Sequence, residues 1–382
     1  TGLFLLLYWV IIPLICCCII MRKILRFLLL KPVLWAAAKF SSKPERKRIF
    51  KALSELYDSI STNPGKKGLI VPFEWHTGKF IIFSDQHKGA RDGADDFALS
   101  ESNYLAALDH YYKEDFTFIN LGDSEELWEN LLHSVKKHNK NTFEAEKKFL
   151  AHNNYVKVFG NHDLFWDTDP LAWWQLKNIF GEKVKVYEGV VLKTLIRNQT
   201  DDSELTIFLT HGHQGDASSD GNWFSKFFVA RIWAPLQGYL RINPNTPAYN
   251  AEKKTVHNHS MYEWSAQQNN MLLITGHTHQ PVFASLTHLE RLYKDYQLAE
   301  SAKDEVRLAE LSDEIRKREK EFTAVSVDYM NMKPSYFNTG CCCFSDGDIT
   351  GIEIADGFIR LIKWSKEKSR EVLEQAMLNE FL

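Results

Sequence analysis

Short apolar runs closed by Asp, Gly, Asn or His recur along the chain. Lys79–Phe83 ends at Ser84-Asp85, Phe116–Leu121 at Gly122-Asp123, and Tyr155–Phe159 at Gly160-Asn161. Leu205–Thr210 ends at His211, and Met271–Thr275 at Gly276-His277. Runs of this length predict strands buried on both faces, inside a layered α/β protein. Helical spacing lies between them, at Phe97–Tyr112, Ser124–His138 and Leu171–Phe180. Beyond the fifth run, residues 288–322 are dense in mixed charge and predict one or two exposed helices inserted before the sheet resumes. Strand patterns return at Ala324–Tyr329 and Ser335–Asn338; Ile352–Ala355 and Phe358–Trp364 flank Asp356-Gly357, a hairpin signal. Ser365–Leu382 reads as a closing amphipathic helix.

The residues that close the runs carry the chemistry. In order they are Asp85-Gln86-His87, Gly122-Asp123, Gly160-Asn161-His162-Asp163, His211-Gly212-His213 and Gly276-His277-Thr278-His279. In α/β sheets a ligand site forms beyond the carboxyl ends of the strands, where all five motifs fall. An isolated Asp-X-His is usually a surface or capping pair; five such motifs in order are not. Phosphoester hydrolysis needs a nucleophile at neutral pH and charge neutralisation on the phosphoryl oxygens, and two metal ions supply both. Asp123 is the candidate bridge between them. Asp85, His87 and His279 complete one ion's set, and Asn161, His211 and His277 the other's. His211 is preferred to His213 because it sits directly at the strand end, which leaves His213 to support it or to face substrate. Mixed oxygen and imidazole ligation favours Mn, Fe, Zn, Co or Ni over Ca or Mg. A hydroxide held between the ions would attack phosphorus, with His162 protonating the leaving oxygen or stabilising its charge and Asp163 orienting His162. Lys88 and Arg91, close behind the first motif, are candidates to bind a substrate phosphate. His257 and His259 read as surface residues.

This set of motifs resembles the calcineurin-like metallophosphoesterase superfamily, over roughly Lys79 to Trp364. The resemblance implies a four-layer α/β/β/α sandwich with two mixed sheets and a dinuclear site that often contains Mn. Ser/Thr protein phosphatases of that superfamily follow Gly-Asp with a Val-Asp-Arg-Gly type segment. Here the chain reads Gly122-Asp123-Ser124-Glu125-Glu126-Leu127-Trp128, which disfavours that activity. An acidic residue three after the bridging Asp, here Glu126, with an aromatic close behind, is similar to the UDP-2,3-diacylglucosamine hydrolase branch. Its members cleave a lipid-linked pyrophosphate at the inner membrane surface. That branch tends to carry Arg where this chain has His162, so its substrate does not simply transfer.

Charge and hydropathy add a membrane expectation. Gly2 to Met21 is an uncharged apolar stretch, long enough to cross a bilayer, followed at once by Arg22, Lys23, Arg26 and Lys31. Read instead from Met21 as the natural start, the same basic segment forms an amphipathic helix on the membrane surface, with Trp35 at the interface. Residues 22–51 hold ten Lys or Arg and one acid, a local charge of +9 within a chain of net charge −3. A basic arm on an acidic body suits an anionic membrane better than nucleic acid. Both readings place the protein on the cytoplasmic face of a membrane. The six cysteines fall in two triplets, Cys16–Cys18 and Cys341–Cys343, which pair poorly and imply a reducing compartment. The second triplet reads as small core residues.

The domain reading is therefore a transmembrane helix or a start-site artefact at 1–21, a basic amphipathic membrane-facing arm at 22–60, a catalytic domain at 70–364 and a terminal helix at 365–382. Within the catalytic domain, residues 216–263 form an aromatic cap and 288–322 a charged insert. The cap's apolar stripe, including Trp223, Phe227 and Trp233, is either an acyl-chain site or ordinary core. The function expected is metal-dependent cleavage of a phosphodiester or pyrophosphate, with a lipid-linked substrate as one candidate. The alternatives are a membrane-tethered phosphodiesterase or nucleotide hydrolase for soluble substrates and, last, a non-catalytic scaffold. Nothing in the sequence sets the oligomeric state.

Overall fold

The computed structural model describes residues 21–32, 44–92, 95–197, 202–216, 251–318, 332–366 and 369–382. The strands are β1 (Gly68–Pro72), β2 (Phe80–Phe83), β3 (Thr117–Leu121), β4 (Tyr155–Val158), β5 (Val186–Tyr187) and β6 (Gly189–Arg197). They continue with β7 (Asp202–Thr210), β8 (Met271–Thr275), β9 (Tyr336–Asn338), β10 (Ile349–Ala355), β11 (Phe358–Trp364) and β12 (Arg370–Met377). One sheet has the order β1-β6-β7-β8-β9, and the other β12-β11-β10-β2-β3-β4-β5. Both are mixed: β2 through β5 run parallel while β10 joins β2 antiparallel, and β6 and β7 form the antiparallel pair of the smaller sheet.

The continuous apolar character of the short strands follows from burial on both faces. Along β2, Phe80 and Ile82 point between the sheets, where they join Ile119, Leu121, Val158, Leu192, Ile207, Leu209 and Ile274. Ile81 and Phe83 point outward, onto Tyr104 and Tyr111 of α3 (Glu101–Lys113) and the core shared with α5 (Lys140–Ala151) and α7 (Ala172–Phe180). The smaller sheet is covered by α2 (Arg46–Thr62) and α8 (Ala251–Ala266), with Leu53, Leu56, Met261 and Trp264 packed on Val191, Phe208 and Leu273. The result is four layers, helix, sheet, sheet and helix.

Several expectations change. The basic arm is not one membrane-facing unit: α2 turns Ile49, Leu53, Leu56 and Ile60 into the core, whereas α1 (21–32) keeps Met21, Ile24, Phe27 and Leu28 exposed. The helix expected from Ser124 starts only at Leu132, as α4 (Leu132–His138), because residues 124–131 form turns around the buried side chains of Ser124, Glu125 and Glu126. The terminal helix is instead β12 on the edge of the large sheet, followed by a 3-10 turn at Leu378–Phe381. Arg370 there bonds Glu353 through two nitrogens, at 2.8 and 2.7 Å, tying the segment down as a strand. The charged insert is helical, α9 (His288–Ala302) and α10 (Glu305–Arg318), with a small core of its own around Leu289, Leu292 and Leu311. The strand expected at Ala324–Tyr329, the aromatic stripe and residues 1–20 lie outside the described residues. The helix α8, later in the chain than the stripe, packs as an ordinary core helix. Cys341 and Cys342 are buried as expected.

Leu192→Ala, in the inter-sheet core, should cost about 2–5 kcal/mol, whereas Leu195→Ala, three residues on and 52% exposed, should cost almost nothing. Thermal or urea unfolding of the two variants checks the assigned strand alternation.

Candidate metal centre

Each motif begins within three residues of a strand end, so the turns of both sheets meet in one place. Asp85, His87, Asp123, His277 and His279 all have left-handed backbone, with φ of 54°, 50°, 49°, 69° and 55°. Such conformations are costly for residues with a Cβ and persist where the surroundings over-determine them, commonly at functional sites. Two glycines let the turns close. Gly122 has φ +92°, and a Cβ on it would lie 2.6 Å from His211 Nδ1. A Cβ on Gly160 would strike the Asp123 carboxylate.

Asp123 is the centre of the arrangement. Its Oδ2 lies 3.1 Å from His211 Nε2 and 3.9 Å from His87 Nε2, and its Oδ1 accepts the His162 amide at 2.7 Å. Asp85, His87 and Asp123 form one group of candidate ligand atoms, and Asp123, His211 and His277 another; within each group the atoms lie within 4.8 Å of one another. His279 Nε2 approaches Asp85 Oδ1 at 3.2 Å and His87 Nε2 at 3.1 Å. The ring orientations are set from behind. His211 Nδ1 donates to the Leu121 carbonyl at 2.9 Å, so in the neutral ring Nε2 is bare. His87 Nδ1 faces Glu126 Oε2 at 2.8 Å, which likewise turns Nε2 toward the centre.

The residues fit a pair of divalent ions. Asn161 Oδ1 and His277 Nε2 are buried and make no hydrogen bond, while Asp85 Oδ1 and His211 Nε2 meet only charged groups of the same cluster, His279 and Asp123. Buried polar atoms are nearly always satisfied, so two bare atoms from two motifs, beside candidate ligand groups that share Asp123, fit a site shaped for ions. Oxygen and imidazole donors together are what transition-metal dications prefer.

Other expected site residues are placed differently. Asp163 does not reach His162; its carboxylate accepts the amides of Gly160 at 2.5 Å and Ser124 at 3.0 Å, joining the second and third motifs. Glu126 holds His162 instead, Oε2 to Nδ1 at 2.7 Å, and Trp128 stacks on the ring at 4.1 Å. The three-residue spacing from Asp123 made Glu126 visible in the sequence without giving it this role. Lys88 does not bind substrate: it is fully buried and paired with Glu125 and Glu146. Arg91 is held by Glu101 at 2.5 Å and by Asp95. His213 is fully buried beside His211 and Phe159, not turned toward open space. His257, read as surface, is buried, hydrogen-bonded to Gly212 O at 2.8 Å and packed on His277. Its partner is fixed by tertiary contact and leaves no local mark. His259 is exposed as expected.

Fold and site together define a metal-dependent phosphoesterase. Residues 78–281, more than half of the chain, match the family model for calcineurin-like phosphoesterases, and the chain belongs to that family. No curated protein matches it. A solved structure it is similar to is a conserved predicted phosphoesterase of Streptococcus pneumoniae TIGR4, 12% identical over 78% of this chain and 97% of that one. The TM-score of that pair is 0.26, too low to carry any argument.

The charges at the centre predict a pH dependence. Burial opposes charge on His211, but Asp123 and Asp85 outweigh it and raise the ring to about 9. Burial is likewise outweighed at His279, by Cys341 and Asp85, and that ring too rises to about 9. Raised above an ordinary 6.5, these groups stabilise the metal-free chain fully below about pH 6.5. That contribution is lost as pH climbs through 9. An ion needs the same nitrogens bare, so it competes with protons and its effect grows with pH. The rise in Tm on adding saturating Mn²⁺ to EDTA-stripped protein should therefore be larger at pH 8.5 than at pH 6.5. A rise that shrinks with pH would contradict the arrangement.

Proposed function

We propose that the chain is a dinuclear metal-dependent phosphohydrolase that cleaves a phosphodiester or pyrophosphate bond. The observation that carries this reading is the pair of candidate ligand groups that share Asp123, Asp85 and His87 on one side and His211 and His277 on the other. Asp85, His87, Asp123 and His279 would hold one ion, and Asp123, Asn161, His211 and His277 the other. Mn²⁺ is the first candidate, ahead of Fe, Zn, Co or Ni. Two such ions supply an activated water and neutralise charge on the phosphoryl oxygens.

The chain's own part is to deliver a proton to the leaving oxygen. His162 stands beside the ligand Asn161, and its Nδ1 is held by Glu126. Its Nε2 is thereby left to serve as the acid, while the Trp128 ring restricts rotation. Glu126 remains ionised: burial opposes this, but His162 and His87 outweigh it and lower the carboxyl to about 2. One carboxylate thus orients both a candidate ligand and the candidate acid.

A membrane-borne substrate is favoured by α1. It bears Arg22, Lys23, Arg26 and Lys31 with no acid, and its Ile24, Phe27 and Leu28 are exposed, Phe27 by 83%. Cations beside exposed large apolar side chains suit the interface of an anionic bilayer. We place the protein on the cytoplasmic face of a membrane on that ground. No helix among the described residues is long and apolar enough to cross a membrane. The runner-up is a soluble-substrate hydrolase that is only tethered there.

His162→Ala should lower kcat about 10²–10⁴-fold while two ions per chain are retained; unchanged turnover would sink the assigned acid. Comparing UDP-diacylglucosamine with bis-p-nitrophenyl phosphate under Mn²⁺ tests the substrate: preference for the lipid supports the membrane reading, and activity on the small diester alone supports the runner-up. Phe27→Glu should reduce co-sedimentation with vesicles containing phosphatidylglycerol, and equal binding would remove α1 from that role.

A further inference from the structure

We infer that Glu125 and Lys88 are positioning residues for the metal-holding turns, acting through a buried ionic network that lies beneath three of the five motifs. The inference rests on the ligand assignment proposed above.

Past the ends of β2 and β3 the chain continues as a short parallel ladder. His87 N donates to Asp123 O at 3.0 Å, Lys88 N to Ser124 O at 3.0 Å, and Glu126 N to Lys88 O at 3.1 Å. Side chains alternate along it. On one side His87 meets Glu126, with Asp123 close by; on the other Lys88 meets Glu125, at 3.2 Å. Lys88 Nζ also lies 2.6 Å from Glu146 Oε1, and Lys157 Nζ 2.9 Å from Glu125 Oε2. All four groups are without solvent exposure. Two ammonium groups and two carboxylates make the cluster neutral, so each charge is compensated only while all four are present.

Glu125 is the hub. Besides the two lysines it accepts Ser124 Oγ at 2.9 Å and Trp166 Nε1 at 2.7 Å. Lys157 and Trp166 stand on either side of the third motif, in β4 and in α6 (Phe165–Thr168). One carboxylate therefore ties the turn carrying His87, the turn carrying Asp123 and the flanks of the loop carrying Asn161 and His162. Stability alone does not account for it, because a buried ion network is often no more stabilising than apolar residues of similar volume. What fixed ion pairs add is directional geometry. The turns above hold three non-glycine residues at positive φ, Asp85, His87 and Asp123, and such backbone must be over-determined to persist.

The test is Mn²⁺ titration calorimetry on the full chain, together with kcat and KM on bis-p-nitrophenyl phosphate. Glu125→Gln keeps the side chain's size and removes its charge. It should weaken Mn²⁺ binding about 10–100-fold, the range seen when groups supporting metal ligands are removed, and lower kcat comparably with KM little changed. The control is Glu353→Gln, which breaks a buried cluster with Arg360 and Arg370 that has no contact with the motifs. It should lower Tm and leave Mn²⁺ affinity and kcat alone. If Glu125→Gln does not fold, Trp166→Phe removes a single hydrogen bond to the same carboxylate and should weaken Mn²⁺ binding about threefold or more. A folded variant with lowered Tm but parental Mn²⁺ affinity and kcat overturns the inference, in Glu125→Gln or failing that in Trp166→Phe. A parent chain that does not bind two Mn²⁺ overturns the proposed function instead.

Discussion

The Asp123 carboxylate has to be reached from both sheets at once, and the rest of the architecture answers to that requirement. His87 and His162 approach it from the large sheet, and His211 from the small one, at 3.1 Å. The approach of His211 is fixed by a bond across the interface to the Leu121 carbonyl, in the strand that leads to Asp123 itself. The two sheets therefore cannot slide without opening the centre. Their packed interior of Ile, Leu and Val residues sets the distance between them, and Gly122 and Gly160 remove the side chains that would keep the turns apart. Burial opposes charge on Asp123, but the imidazoles of His211 and His162 outweigh it and hold the carboxyl far below the ordinary range.

Much of this centre was legible in the chain because its signals are local. A strand buried on both faces reads as an unbroken apolar run, and a ligand at its end is an adjacent polar residue. That is why the ends of β2, β3, β4, β7 and β8 could be placed and the seven candidate ligands named. The hairpin at Asp356-Gly357 was equally local, since both residues take positive φ, 55° and 80°.

What was not legible depends on partners distant in sequence. Lys88 has the charge of a phosphate binder, and tertiary contact with Glu125 and with Glu146 of α5 turns it inward. Asp163 stands next to His162 in the chain, yet its carboxylate points at backbone amides, whereas Glu126 arrives from another motif to hold the imidazole. The terminal segment was misread because its alternating charges fit a helix as well as an edge strand; β11 and Glu353 decide for the strand. The arm at 22–60 was read as membrane-facing throughout, whereas the apolar stripe of α2 faces a sheet, a distinction that hydropathy does not contain.

The centre of the large sheet is where β2 pairs with β10, Ile82 opposite Ile352 and Phe80 opposite Ile354. The turn that bears Asp85 is closed by the same late segment, for Cys342 N donates to the Asp85 carbonyl and Ser84 Oγ meets Thr339 Oγ1 at 2.6 Å. Closing so long a loop is entropically unfavourable until the strands that reward it exist. A nascent chain emerging from the ribosome thus presents its first motif long before it can complete the turn around it. Closure of the Asp85 turn is in this way coupled to the arrival of residues 339–354, and a chain cut before them would carry all five motifs without the segment that completes the first turn.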